Sequence, residues 1–174
     1  MSDERQDFDL LALYAALDHK RQALSMTWSD VARAISTRHS ETPGSKVSAS
    51  TVTGIRRRRQ VEADGVLQML RWLDRTPESF GAARCTEEKL SAVLPPIEPH
   101  QTLRFDARAI YAALEAKRVA NGLSWKQVAQ EIGGCAPESL TRLAKGGRVS
   151  FPRVMRVIRW TGEAASEFMR ASDW

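Results

Sequence analysis

The hydrophobic positions of this chain recur every three or four residues, in short runs that stop at glycine, proline or small polar residues. In the C-terminal part, Ile110, Ala113 and Leu114 share one face of a helix predicted over about 107–121, with Asp106 as its N-cap and Asn121-Gly122 as its stop. Ser124 caps a second helix that runs to Ile132 and ends at Gly133-Gly134. Pro137 suits the first turn of a third, which closes at Gly146-Gly147. Val154, Val157, Ile158 and Thr161 mark a fourth, from Ser150-Phe151-Pro152 to Gly162, and a short fifth helix is expected around Glu163–Arg170. The same reading of the N-terminal part places helices near 9–24, 28–37, 48–58 and 63–74, with a closing helical turn from Thr76-Pro77. No stretch keeps a period of two, so no strands are expected.

These two sets of helices are copies of each other. Residues 13–35 and 110–132 align at an offset of 97, superposing Tyr14/Tyr111, Leu17/Leu114, Lys20/Lys117, Arg21/Arg118, Trp28/Trp125, Val31/Val128, Ala32/Ala129 and Ile35/Ile132. Beyond them the offset is 88, pairing Val52 with Leu140, Ile55 with Leu143 and Trp72 with Trp160. The first copy therefore carries nine extra residues between Ile35 and Val52. Self-similarity of this kind predicts two units of one fold: an all-α chain with domains over 1–82 and 104–174, and a linker over 83–103. In the linker a short helix is expected over Thr86–Leu94, before Pro95, Pro96 and Pro99 break and stiffen the chain. The polar stretch Ser36–Val47, with Pro43 and Gly44, is expected to be a loop.

Charge adds a partner to this picture. The net charge is +5, and residues 104–174 hold 12 Lys/Arg against 7 Asp/Glu. Residues 1–78 are nearly balanced, 12 against 11, but gather four arginines at Arg56–Arg59. Clustered arginines on a basic chain favour a polyanion. No apolar run approaches the ~18 residues of a membrane span, and the polar start MSDERQDFD does not read as a secretory signal. A cytoplasmic, nucleoid-associated protein is expected. Cys85 and Cys135 lack metal-site spacing and are expected to be free thiols. His19, His39 and His100 are scattered, and no HExxH, GxGxxG or P-loop pattern occurs, so neither an enzyme nor a cofactor is expected.

Short helices with a tight turn between the second and third resemble the helix-turn-helix domain of phage Cro and lambda-type repressors. The resemblance rests on Gly122–Gly133 with Ser139–Gly146 in the second unit, and on Thr27–Ile35 with Ser48–Ile55 in the first. It implies two tandem five-helix domains whose third helices enter the DNA major groove. Carried over by position, base-reading residues are Ser48, Ser50, Thr53 and Arg57, with Gly54 beside them, and Pro137, Glu138, Thr141 and Arg142. Arg142 suits a bidentate contact with guanine, and Glu138 can accept from a cytosine amine. Backbone contacts fall to Lys46, Arg56, Arg58 and Arg59 in the first unit and to Lys126, Lys145 and Arg148 in the second. The family's glutamine at the start of helix 2 is replaced by Trp28 and Trp125. Each is either a packing aromatic or a donor of its indole N–H to phosphate. The Ser36–Val47 insertion, with Arg38, His39 and Lys46, is either inert or a further DNA contact.

The expected function is a transcription regulator that reads double-stranded DNA, its unlike recognition helices matching two unlike half-sites. The alternative is one DNA-binding unit joined to a protein-interaction module for RNA polymerase, a partner regulator or a second copy. A monomer or weak homodimer suits either reading, and a nonspecific nucleoid protein suits the modest net charge less well.

Overall fold

The computed structural model describes residues 8–37, 47–57, 61–81, 93–98, 101–146 and 149–173. The first repeat contains α1 (Leu10–Ala23), α2 (Trp28–Thr37), α3 (Ala49–Gly54) and α4 (Ala63–Leu73), then a 3-10 turn at Pro77–Phe80. The second contains α5 (Ala107–Ala120), α6 (Trp125–Ile132), α7 (Pro137–Thr141) and α8 (Phe151–Thr161), then a 3-10 turn at Ala165–Phe168. The chain is mostly helical. The third helices are shorter than the sequence suggests: α3 gives way to a turn at Ile55, and α7 tightens into a 3-10 segment at Arg142–Lys145. The expected linker helix and most of the Ser36–Val47 insertion lie outside the described residues.

The expectation of no strands is corrected by a two-stranded antiparallel sheet, β1 (Gln101–Phe105) against β2 (Met169–Asp173). It takes up the last residues of the expected linker and the end of the expected fifth helix. β1 buries Thr102, Leu103 and Phe105, a pattern without the alternation that marks a half-buried strand in sequence.

Equivalent side chains build the two cores. Leu13/Ile110, Leu17/Leu114, Val31/Val128, Ile35/Ile132, Val52/Leu140, Ile55/Leu143, Val66/Val154, Met69/Val157 and Leu70/Ile158 are all buried. Burial of each such side chain is worth about 1.5–3 kcal/mol. Lys20 and Lys117 lock the first helix of each repeat to the fourth, by donating to the carbonyls of Trp72 and Trp160 and lying over their rings. Asp9 and Asp106 cap α1 and α5 through their carboxylates.

The repeats also share one hydrophobic core. At their junction Glu62 and Ser150, the N-cap residues of α4 and α8, pair antiparallel. The Ala63 N–H donates to the Val149 carbonyl (3.0 Å), and the Phe151 N–H donates to the Val61 carbonyl (2.7 Å). Ala63 and Phe151 are equivalent residues, as are Val61 and Val149, so the junction has the reciprocity of a local two-fold axis. Phe151 is buried there against both Phe8 and Phe105, ring centroids 4.5 and 5.9 Å away, which are themselves repeat equivalents. Two buried polar side chains complete the junction. Gln68 of α4 donates to the Thr102 hydroxyl and the Leu103 carbonyl, and the Glu78 carboxylate accepts from the Ala165 N–H.

Candidate nucleic-acid interface

The second and third helices of each repeat pack as a pair, α2 on α3 and α6 on α7. A capping box opens α6: the Ser124 hydroxyl accepts from the Gln127 N–H, and the Gln127 side chain accepts from the Ser124 N–H. Thr27 and Asp30 make the same reciprocal pair at the start of α2. The Thr27 hydroxyl and amide, with Arg33 nearby, hold the Asp30 carboxyl below the ordinary carboxylate range. In the first repeat the Ser36 hydroxyl donates to the Val47 carbonyl (3.2 Å). The insertion thus leaves and rejoins the α2–α3 pair at one point. Gly133 and Gly134 make the corresponding turn with φ of +73° and +61°. A Cβ at Gly134 would collide with the Arg156 guanidinium, which donates to the Gly133 carbonyl.

Trp28 and Trp125 are half-buried in repeated stacks. Tyr14 lies against Trp28 (5.3 Å) and Tyr111 against Trp125 (5.5 Å). Arg21 and Arg118 lie over the same tryptophans, 5.0 and 5.2 Å from the ring centroids. Each arginine is fixed in turn by an acidic residue three positions earlier, Asp18 or Glu115, and by a carbonyl, of Met26 or Leu123. The Arg118 bond keeps Glu115 more acidic than usual and Arg118 more basic. Reading single positions missed these stacks, although the aligned Tyr, Arg and Trp carried the signal.

The base-reading candidates gather at the third helices. Ser48 is the N-cap of α3 and accepts from the Thr51 N–H, and its hydroxyl lies 2.8 Å from those of Ser50 and Thr51. Ser48, Ser50 and Arg57 are exposed. In the second repeat Pro137 starts α7, and Glu138 and Arg142 are exposed. Thr53 and Thr141 are half-buried, and their hydroxyls donate to the carbonyls of Ala49 and Glu138.

Among the backbone-contact candidates, Arg56, Lys126 and Lys145 are exposed, and Arg56 lies over the Tyr14 ring at 5.5 Å. That contact prolongs the Tyr14–Trp28–Arg21 stack to the end of α3, whereas the second repeat has Ala144 at the corresponding position. Lys46, Arg58, Arg59 and Arg148 lie outside the described residues, as do Arg38 and His39. Cys135, half-buried beside the turn, is a free thiol whose pKa is pushed up by burial against the opposing pull of Arg156 and Arg153. No group of His, Cys, Asp and Glu among the described residues could hold a metal ion, and no helix there is long and apolar enough to cross a membrane. Neither a family model, nor a curated protein, nor a solved structure matches this chain.

Proposed function

We propose that this chain is a sequence-specific transcription regulator that binds double-stranded DNA through two helix-turn-helix units of the Cro/lambda-repressor type. The observation that carries the reading is the repeated pair α2–α3 and α6–α7, each with polar residues at the start of its third helix. Exposed cations accompany those residues: Arg56 in the first unit, Lys126 and Lys145 in the second. Side chains at the start of such a helix meet base edges when the helix lies in the major groove, and flanking cations fix its register on the phosphates.

The third helices carry different chemistry. Hydroxyls at Ser48 and Ser50 face Ala136 and Glu138 at equivalent positions, and Gly54 stands where the second unit has Arg142. The two half-sites are therefore unlike. The reciprocal hydrogen bonds around Glu62 and Ser150 favour half-sites in inverted order, as operator symmetry mirrors the symmetry of a dimeric reader. Both units sit on one chain, so binding of the first raises the effective concentration of the second. The salt dependence of affinity for a selected duplex tests the reading. Two engaged units predict a slope on the order of −6 or steeper, from the counterions released by each phosphate contact. A slope near about −3 would leave only one unit on DNA and the other free for a protein partner.

A further inference from the structure

A cleft of 480 Å³ opens between the start of α4 and the β1–α5 corner of the second repeat. Four cations line it, Arg104, Arg108, Lys145 and Arg170, against two carboxylates, Asp64 and Asp106. A volume of about 300–1,000 Å³ is usual for a small-molecule site.

Several features of this cleft serve the fold poorly. Arg104 and Arg170 stand directly opposite each other in the β1–β2 ladder, where like charges destabilise a strand pair. The Arg104 Nε is buried and has no hydrogen-bond partner among the described residues. A buried donor left unpaired costs about 1–3 kcal/mol. Asp106 offsets part of this charge. One of its oxygens accepts from the N–H groups of Arg108 and Ala109, and the other lies 3.6 Å from the Arg170 Nε. The opposite wall is the start of α4, where Ala63 and Asp64 line the cleft.

The repeat itself is the control. The lysines that lock the first helix of each repeat to the fourth recur in both copies, but these cations do not. Asp7, Leu11 and Ala82 occupy the positions that correspond to Arg104, Arg108 and Arg170, and only Lys145 has a basic counterpart, Arg57. The charge belongs to this cleft and not to the architecture of the unit.

We propose that the cleft is a binding site for a small ligand bearing a phosphate or diphosphate group, held by Arg104, Arg108 and Arg170 with Lys145 at its edge. Guanidinium groups suit phosphate oxygens through paired charge-assisted hydrogen bonds. The walls come from both repeats, so the ligand would bridge them. Lys145 is shared with the proposed DNA contacts, whereas Arg104, Arg108 and Arg170 are not.

Titration calorimetry of the full-length protein with inorganic pyrophosphate tests it, with Arg108→Ala and Arg170→Ala as variants, since both side chains are exposed. The expected result is saturable one-to-one binding, weakened about tenfold or more by either change, with no fall in melting temperature. Arg33→Ala, an exposed cation of α2 that does not line the cleft, should leave pyrophosphate binding unchanged, and the two arginine variants should keep their affinity for duplex DNA. Absence of saturable binding up to about 5 mM would overturn the proposal. So would equal binding by all variants, or a parallel loss of duplex affinity, which would assign the cleft to the nucleic-acid backbone.

Discussion

Ala63 and Phe151 occupy the same position in the two repeats, and each donates its N–H to the other repeat across the junction, Ala63 to Val149 and Phe151 to Val61. Their backbones are equivalent and their side chains are not. The larger one lies between Phe8 and Phe105, with no exposed surface. The backbone pairing keeps the two-fold relation, while only one of the two positions puts a ring into the shared core.

Phe151→Ala should therefore destabilise the whole chain. Emptying a fully buried phenylalanine site costs about 3–5 kcal/mol. Urea unfolding should show one cooperative transition for both repeats, moved to lower denaturant. A loss below about 1 kcal/mol, or two separate transitions, would mean that the repeats do not share a core.

Ser25 and Gly122 end the equivalent helices α1 and α5 at positive φ, +52° and +62°. A left-handed conformation costs an L-residue about 1–2 kcal/mol, partly offset by the greater unfolded-state freedom of glycine. Ser25→Gly should stabilise the protein by about 0.5–1 kcal/mol, and Gly122→Ser should destabilise it by a similar amount. Thermal melts of the two variants should move in opposite directions.

Asp30 is more acidic in the folded chain, chiefly because the Thr27 hydroxyl hydrogen-bonds its carboxylate. A folded-state pKa below the unfolded one means that the unfolded chain takes up the proton first as pH falls. This contribution to stability is complete above the unfolded value, near about 4, and is lost as pH drops through the lower folded value. A side-chain carboxyl titration followed by NMR should place Asp30 below an unperturbed aspartate, and Thr27→Val should move it back up. No movement would remove Thr27 as the cause.

Trp125 packs on both Tyr111 and Arg118, contacts that by themselves suffice to hold its ring. Trp125→Phe keeps a ring in the stack and removes the indole N–H. The expected outcome is a stability loss of about 1 kcal/mol with duplex affinity within about threefold of the parent. A tenfold or greater loss of affinity would instead give the indole N–H a phosphate.

Much of this architecture is legible in the sequence because it is local and written twice. Asp106, Ser124 and Pro137 mark helix starts by capping chemistry that acts over three or four residues, and Gly122 and Gly162 mark helix ends. The β1–β2 pairing was not legible, because Gln101–Phe105 does not alternate and its partner strand is contributed by the far end of the repeat. Nor was the junction. The bonds of Ala63 and Phe151 are made by backbone groups, which carry no residue signature, and Phe8 lies just outside the aligned blocks. At the candidate interface, sequence placed Arg142 and Glu138 on an exposed face. It could not show that Thr53 and Thr141 turn their hydroxyl protons back onto their own helices.

Under the proposed function two unlike units, related by a local two-fold axis, read DNA together. Selection of bound sequences from a random duplex pool tests it most directly, using the full-length protein and Arg142→Ala in parallel. The expected result is two unlike half-sites in inverted order, centred about one helical turn apart (~34 Å), with the second unit's half-site losing definition in the variant. A single short motif that the variant leaves intact would contradict it.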